Sequence, residues 1–275
     1  MDRKILYIFT RTPLHIGAGT SVGAIDQPII RERHTGYPII PGSSLKGVLR
    51  DACRTDKDLR NKEEAIFGKQ DDAGKIAIGE AKILAFPVRS ARGSFAFVTS
   101  ALALDRFRRE HAATEVLPAL VEPQDMQCMA GATVTITRNR QTGVVLEEYK
   151  FTVTGQFDPR WEEALLKLLP EDAVWQTGKG RFVLLSHGDF SHFVRNACEV
   201  GQHVGINPET GTAKKGALFN LEAVPAETLF FAPIEALSRA NGELSDLAGL
   251  LQRKPVLQLG GDSTTGLGFC TVKLA

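Results

Sequence analysis

With 275 residues, 43% of them hydrophobic and 24% charged, the chain has an ordinary soluble composition and the length for one large domain or two small ones. A net charge of +1 argues against a protein that coats nucleic acid through bulk charge, so any such contact must be local. The four cysteines, Cys53, Cys128, Cys198 and Cys270, lack a CxxC pair or a histidine at zinc spacing, which points to reduced thiols in the cytoplasm; nothing resembles a signal peptide, and no apolar run approaches the ~20 residues that cross a bilayer.

Residues 5–10 are apolar on both faces, the pattern of a central strand covered on each side. The next stretch carries Gly17, Gly19, Gly23, Pro28, Gly36, Pro38 and Pro41, too many breakers for a long helix or strand, and reads as an ordered loop or hairpin arm. Asp26 stands there among Ala24, Ile25, Ile29 and Ile30. It either caps a turn before Pro28 or does chemistry, although one carboxylate alone does not make a two-metal nuclease. Pro41 and Gly42 stop the extended run. At about 100° per residue, Leu45, Val48, Leu49, Ala52 and Cys53 then share one stripe of a helix, with Lys46, Arg50 and Arg54 along the adjacent edge. Ser43 or Ser44 can cap that helix, and its free N–H groups together with Lys46 suit an anion, a phosphodiester as well as a free phosphate. Residues 56–64 read as a solvated surface segment.

Residues 76–84 and 93–99 are expected strands joined by residues 87–92. The run Arg92-Gly93-Ser94-Phe95-Ala96-Phe97-Val98 brushes against the aromatic strand of RNA-recognition domains, but its extra residue swaps the faces and favours a core strand. A helix over 101–111 exposes Arg106, Arg108 and Arg109. Residues 133–137 and 149–154 suggest a strand pair around Gln141-Thr142-Gly143, followed by a helix over 161–169. A strand over 181–186 leads to a helix over 189–198 that Asp189 can cap. Residues 199–224 look like a β-hairpin arm leaving the core. Strands over 228–234, 256–259 and 269–274 and a helix over 244–251 close the chain.

Between the last two strands, Gly261 and Gly266 match half of a P-loop, but Leu267 stands where the phosphate-binding lysine belongs. What remains is a turn whose backbone can approach something extended, or a plain tight hairpin. His15 reads either as a proton carrier or as a hydrogen-bonded structural histidine. The irregular alternation of elements fits an α+β fold of the split-βαβ type, an antiparallel sheet with helices on one face, interrupted by long insertions.

The run Asp26-Gln27-Pro28-Ile29-Ile30-Arg31, followed by Pro38-Ile39-Ile40-Pro41-Gly42-Ser43-Ser44-Leu45-Lys46-Gly47, resembles the signature of the RAMP superfamily of CRISPR systems. Gly260-Gly261 to Gly268-Phe269 is similar to that superfamily's glycine-rich loop. Val88-Arg89-Ser90 with Phe95-Ala96-Phe97-Val98-Thr99-Ser100, and Thr210-Gly211-Thr212-Ala213 with Gly216-Ala217-Leu218-Phe219, narrow the resemblance to the backbone subunit of type III-B (Cmr) effectors. It covers essentially the whole chain.

The resemblance implies one ferredoxin-like (RRM-like) palm over residues 1–275, with residues 199–224 as an inserted β-hairpin thumb. It also implies copies stacked with other Cmr subunits into a helical backbone along the CRISPR RNA, cutting complementary target RNA at regular intervals. On it, Asp26 is the catalytic aspartate, holding a divalent metal (Mg or Mn) or acting as general base, and His15 assists. Ser43, Ser44, Lys46, Arg50, Gly260, Gly261, Gly266 and Gly268 grip the guide RNA. The Glu-Glu-Tyr run common in the family is here Leu221-Glu222-Ala223, without the tyrosine, which weakens the case for a supporting catalytic role at Glu222. RNA supplies its own nucleophile, the 2′-hydroxyl, so cutting needs mainly in-line alignment, which a thumb wedged between bases provides. A purely architectural RNA-binding subunit, the type III-A counterpart and a small-molecule phosphate enzyme are the competing readings.

Overall fold

A computed structural model describes residues 2–19, 23–111, 117–237 and 240–275. Strand β1 (Arg3–Thr10) is followed by helix α1 (Gly42–Arg54), the paired strands β2 (Ala81–Ser90) and β3 (Ser94–Ser100), and helix α2 (Ala101–Glu110). Strand β4 (Phe182–Leu185) and helix α3 (His187–Asn196) precede the hairpin β5 (Glu199–Ile206) and β6 (Ala213–Ala223). Strand β7 (Leu229–Ala236), helix α4 (Glu243–Arg253) and strand β8 (Phe269–Leu274) complete the chain.

β1 lies between β7 and β8 in a 13-stranded mixed sheet, whose order runs Val256–Gln258, β8, β1, β7, β2, β3, β4 and on through the strands of residues 127–156. The neighbours from β8 to β3 are antiparallel, and β3 to β4 is parallel. β1 is apolar on both faces because both are covered. Leu6 and Ile8 join the cluster containing Leu45 and Leu49 of α1 and Leu247 and Leu250 of α4; Tyr7 and Phe9 join Leu104 and Phe107 of α2, Trp161 and Trp175. The expectation of helices on one face is thereby corrected, since each face carries its own buried helices.

Several local expectations are also corrected. Residues 76–84 are two strands, Ile76–Ile78 and the start of β2, and β2 runs on through Pro87. Beyond Ala85 that strand has left β7, so a proline lacking its N–H is tolerated there. Gln141-Thr142-Gly143 opens a strand, Gln141–Leu146, paired with neighbours on both sides, and is not a turn. Ser186, not Asp189, caps α3, accepting from the Asp189 N–H. Arg106 is mostly buried and paired with Glu32. Residues 56–64 are solvated as expected at Lys57, Asp58, Arg60, Asn61, Lys62 and Glu64, but Asp56 and Glu63 are buried, held by Arg253 and by Arg50 with Arg54.

The hairpin of residues 199–224 is present: β5 and β6 pair with each other outside the large sheet, from Glu199↔Ala223 to Ile206↔Ala213. Phe97 is a fully buried core residue, as the shifted aromatic pattern implied. No disulfide joins the cysteines, and among the described residues no helix is long and apolar enough to cross a membrane.

Candidate active site

The arm after β1 is ordered by backbone pairing with segments distant in the chain. Leu14 exchanges both hydrogen bonds with Val224 at the root of β6, and Ala18 and Ile30 bond Pro28 and Ile16 across the arm. On the other side of residues 13–15, the Gly261 N–H donates to the His15 carbonyl at 3.0 Å and the Gly268 N–H to the Pro13 carbonyl at 2.8 Å. The arm, the hairpin root and the glycine loop thus form one continuous backbone network. Residues 20–22 of the arm lie outside those described.

Asp26 is exposed at the edge of this network. Its Oδ2 accepts from the Asn220 N–H at 2.8 Å, and Gln27 pairs as a short parallel bridge beside Leu221. The other carboxylate oxygen carries no protein hydrogen bond among the described residues. Two exposed elements therefore meet at a fixed, solvent-facing carboxylate: the arm that bears it and the hairpin that steers it.

His15 is 7% exposed, and its Nδ1 donates to the Glu222 carbonyl at 2.6 Å. The ring is packed closely enough that a Cβ on Gly17 would lie 3.0 Å from Nε2. His15 thus joins arm and hairpin through Nδ1, while its Nε2 lies against Gly17.

Sequence reasoning missed Arg31 and Asn220 and set Glu222 aside. Glu222 is buried, with Oε2 accepting from the Ile29 N–H at 3.0 Å and Oε1 paired with Arg31. Arg31 also donates to the carbonyls of Val194 and Gly36 and to Cys198 Sγ. Burial pushes the Cys198 thiol up to about 11 despite the neighbouring guanidinium, so it is protonated at neutral pH. The available signal was Arg31 itself, a charged residue closing an apolar run.

α1 begins at Gly42 with Pro41 at its cap and no side-chain capping bond, so Ser43 and Ser44 lie in the first turn and cap nothing. The start is fixed by packing: a Cβ on Gly42 would lie 2.5 Å from the Ile78 carbonyl oxygen. Lys46 is exposed and has no ion pair among the described residues. The expected free cationic edge stops there, because Arg50 and Arg54 both pair with buried Glu63.

The glycine loop is tight for internal reasons. Gly260 and Gly268 have positive φ, and a Cβ on them would meet the His15 and Leu259 carbonyl oxygens at 2.1 and 1.9 Å. The extended partner that their bare backbones admit is this chain's own. Gly266, with φ +88°, faces open space, and Gly261 would tolerate a Cβ at ordinary contact distance.

The described residues contain no group of three or more His, Cys, Asp or Glu side chains placed to hold a metal. For a divalent metal the site offers one free oxygen of Asp26, so the other ligands would have to come from phosphate oxygens and water, as magnesium sites often do.

Residues 8–271 match the profile of the RAMP superfamily. The "CRISPR system Cmr endoribonuclease Cmr4" of Pyrococcus furiosus is 36% identical over 287 residues, spanning 100% of this chain and 96% of that protein. The crystal structure of oligomeric Cmr4 from Pyrococcus furiosus aligns with a TM-score of 0.78 at 31% identity, covering 100% of this chain and 98% of that one. A chain in the cryo-EM structure of the type III-B Cmr-beta bound to cognate target RNA shares the fold, with a TM-score of 0.75 at 18% identity over 100% of this chain and 97% of that one.

Proposed function

Because the chain belongs to the RAMP superfamily, we propose that it is the repeated backbone subunit of a type III-B CRISPR effector and cuts guide-paired target RNA with Asp26. The full-length likeness to a Cmr endoribonuclease supports the type III-B assignment and the activity. Copies associate with one another and with other Cmr subunits around guide and target RNA.

The antiparallel order β8-β1-β7-β2, with α1 between β1 and β2 in sequence and α4 between β7 and β8, supports a ferredoxin-like palm. One domain over residues 1–275, with residues 199–224 as its thumb, is the reading that follows. Exposed Val200, Val204, Ile206 and Leu218 give the hairpin an apolar surface suited to lie against bases.

One observation carries the catalytic reading: Asp26 is exposed, yet fixed by the backbone of the hairpin root. In the reaction, the 2′-hydroxyl oxygen attacks the adjacent phosphorus and the bond to the 5′ oxygen of the next nucleotide breaks, giving a 2′,3′-cyclic phosphate and a 5′-hydroxyl whose proton comes from water. The free oxygen of Asp26 accepts the hydroxyl proton as general base. The hairpin splays one nucleotide and so supplies the in-line geometry, which alone can lower a barrier by several kcal/mol. If that free oxygen instead held magnesium or manganese, Asp26 would be the protein ligand, the metal would neutralise charge on the phosphate, and a water would take the hydroxyl proton. His15 holds the arm against the hairpin during that step. For the guide strand, the uncapped N–H groups of Gly42, Ser43 and Ser44 beside Lys46 form the phosphate seat, with the exposed turn at Gly261 and Gly266 as a second contact.

The test is the product pattern from guide-loaded complex and complementary RNA. Cuts at a constant interval, increasing in number with the copies of this subunit, support the assignment. A single cut, or unspaced products, contradicts it.

A further inference from the structure

Glu222 has no idle polar atom. Its N–H donates to the Gln27 carbonyl at 2.9 Å and its carbonyl accepts from His15; Oε2 accepts from the Ile29 N–H, and Oε1 pairs with Arg31. The pair is poorly hydrated, with side chains 6% exposed for Glu222 and 20% for Arg31. Such a pair repays its desolvation only when the geometry is good and every lone pair is used, and replacing one by apolar side chains is often neutral for stability. What it specifies here is register. Asp26 is held through its side chain, Gln27 through both backbone groups, Ile29 through its N–H and Arg31 through its guanidinium, all by Asn220 and Glu222 on β6. The same strand runs outward to Leu218, which is 58% exposed. Arg31 meanwhile reaches the Val194 carbonyl and Cys198 Sγ, where α3 gives way to β5, the other limb of the hairpin.

We infer that Glu222 and Arg31 are positioning residues, a latch that ties the Asp26 arm to both roots of the hairpin and sets the cutting carboxylate by where the hairpin lies on the RNA. The inference rests on the proposed role of Asp26. Glu222 takes no proton from the substrate, because both its oxygens are committed to donors of its own chain. Misplacing a reacting group by about 1 Å can cost on the order of 100-fold in rate, so a loosened latch shows in cutting before it shows in grip.

The experiment uses assembled, guide-loaded complex carrying Glu222→Gln, Arg31→Lys, Arg31→Ala, the Glu222→Gln/Arg31→Ala double variant, or Asp26→Ala. With saturating target, the single-turnover rate should fall on the order of 100-fold for Glu222→Gln and Arg31→Ala and less for Arg31→Lys, with target affinity within about twofold of wild type. The double variant should lose no more than the worse single, since the two act as a unit. The shape of the pH–rate profile should not change. Hydrogen exchange of the isolated chain, which needs no activity, should quicken at the amides of Gln27, Ile29 and Asn220 in Glu222→Gln. Wild-type cutting by Glu222→Gln beside a dead Asp26→Ala overturns the latch and leaves the function standing; so do additive losses in the double variant or unchanged exchange. Persistent cutting by Asp26→Ala instead removes the role of Asp26, and the exchange result then still decides the latch.

Discussion

The Asp26 carboxylate accepts a hydrogen bond from the backbone N–H of Asn220 at 2.8 Å, across 194 residues of sequence. A backbone donor fixes the carboxylate without consuming a second side chain, and it leaves one oxygen facing solvent. It also places the arm under the control of the hairpin, since Asn220 belongs to β6. The site is thus assembled by topology rather than by a cluster of acids.

Replacing Lys46 by alanine should weaken guide binding and make it less sensitive to salt. Lys46 is exposed beside the uncapped start of α1, so its loss removes about one phosphate contact, and the slope of log affinity against log salt should become shallower by roughly 0.7–1. Binding measured across a salt series checks this. Arg50→Ala should leave the slope unchanged, because Glu63 already holds that guanidinium.

The glycines of the C-terminal loop should divide by what surrounds them. Gly260→Ala and Gly268→Ala put a Cβ 2.1 and 1.9 Å from a carbonyl oxygen at positive φ and should each cost about 3 kcal/mol of stability. Gly266→Ala meets nothing within 4 Å and bears only the left-handed backbone penalty, roughly 1–2 kcal/mol. Urea unfolding midpoints should rank them in that order, and the reverse ranking would contradict the packing described.

Acid should dissolve the link between α1 and the segment after it. Burial raises the Glu63 carboxyl, but the hydrogen bonds from Arg50 and Arg54 outweigh it, leaving Glu63 below its ordinary value of 4.5. A depressed carboxylate contributes stability above its unfolded value and loses it as pH falls through the folded one. The stability gap between wild type and Glu63→Gln should therefore be full at neutral pH and narrow below pH 4.5. A gap that stays constant under acid would mean the ion pairs contribute nothing.

Much of this was legible in the residues, and the remainder has a common cause. β1 announced two covered faces, the stripe from Leu45 to Cys53 announced α1, and the irregular stretch of residues 199–224, broken by Gly201, Gly205, Pro208, Gly211 and Gly216, announced the hairpin. Those signals are local, or periodic within one element. Asp56 and Glu63 read as solvated because their burial is decided by Arg253 and by Arg50 and Arg54, which no periodicity reveals. Arg31 and Glu222 stand 191 residues apart, and only the folded sheet joins them. The glycine turn was legible as one whose backbone comes close to something extended; that the close approach falls at Gly260 and Gly268, and that the approaching group is the chain's own carbonyl, was not.

The most direct test of the account is single-turnover cutting of a saturating, guide-complementary RNA by the assembled complex carrying Asp26→Ala. The expected result is loss of every interval-spaced product, on the order of 1000-fold or more, with guide and target still bound at wild-type affinity. Products of unchanged spacing and rate would show that another group cuts the RNA, and that the fixed carboxylate at the hairpin root only shapes its path.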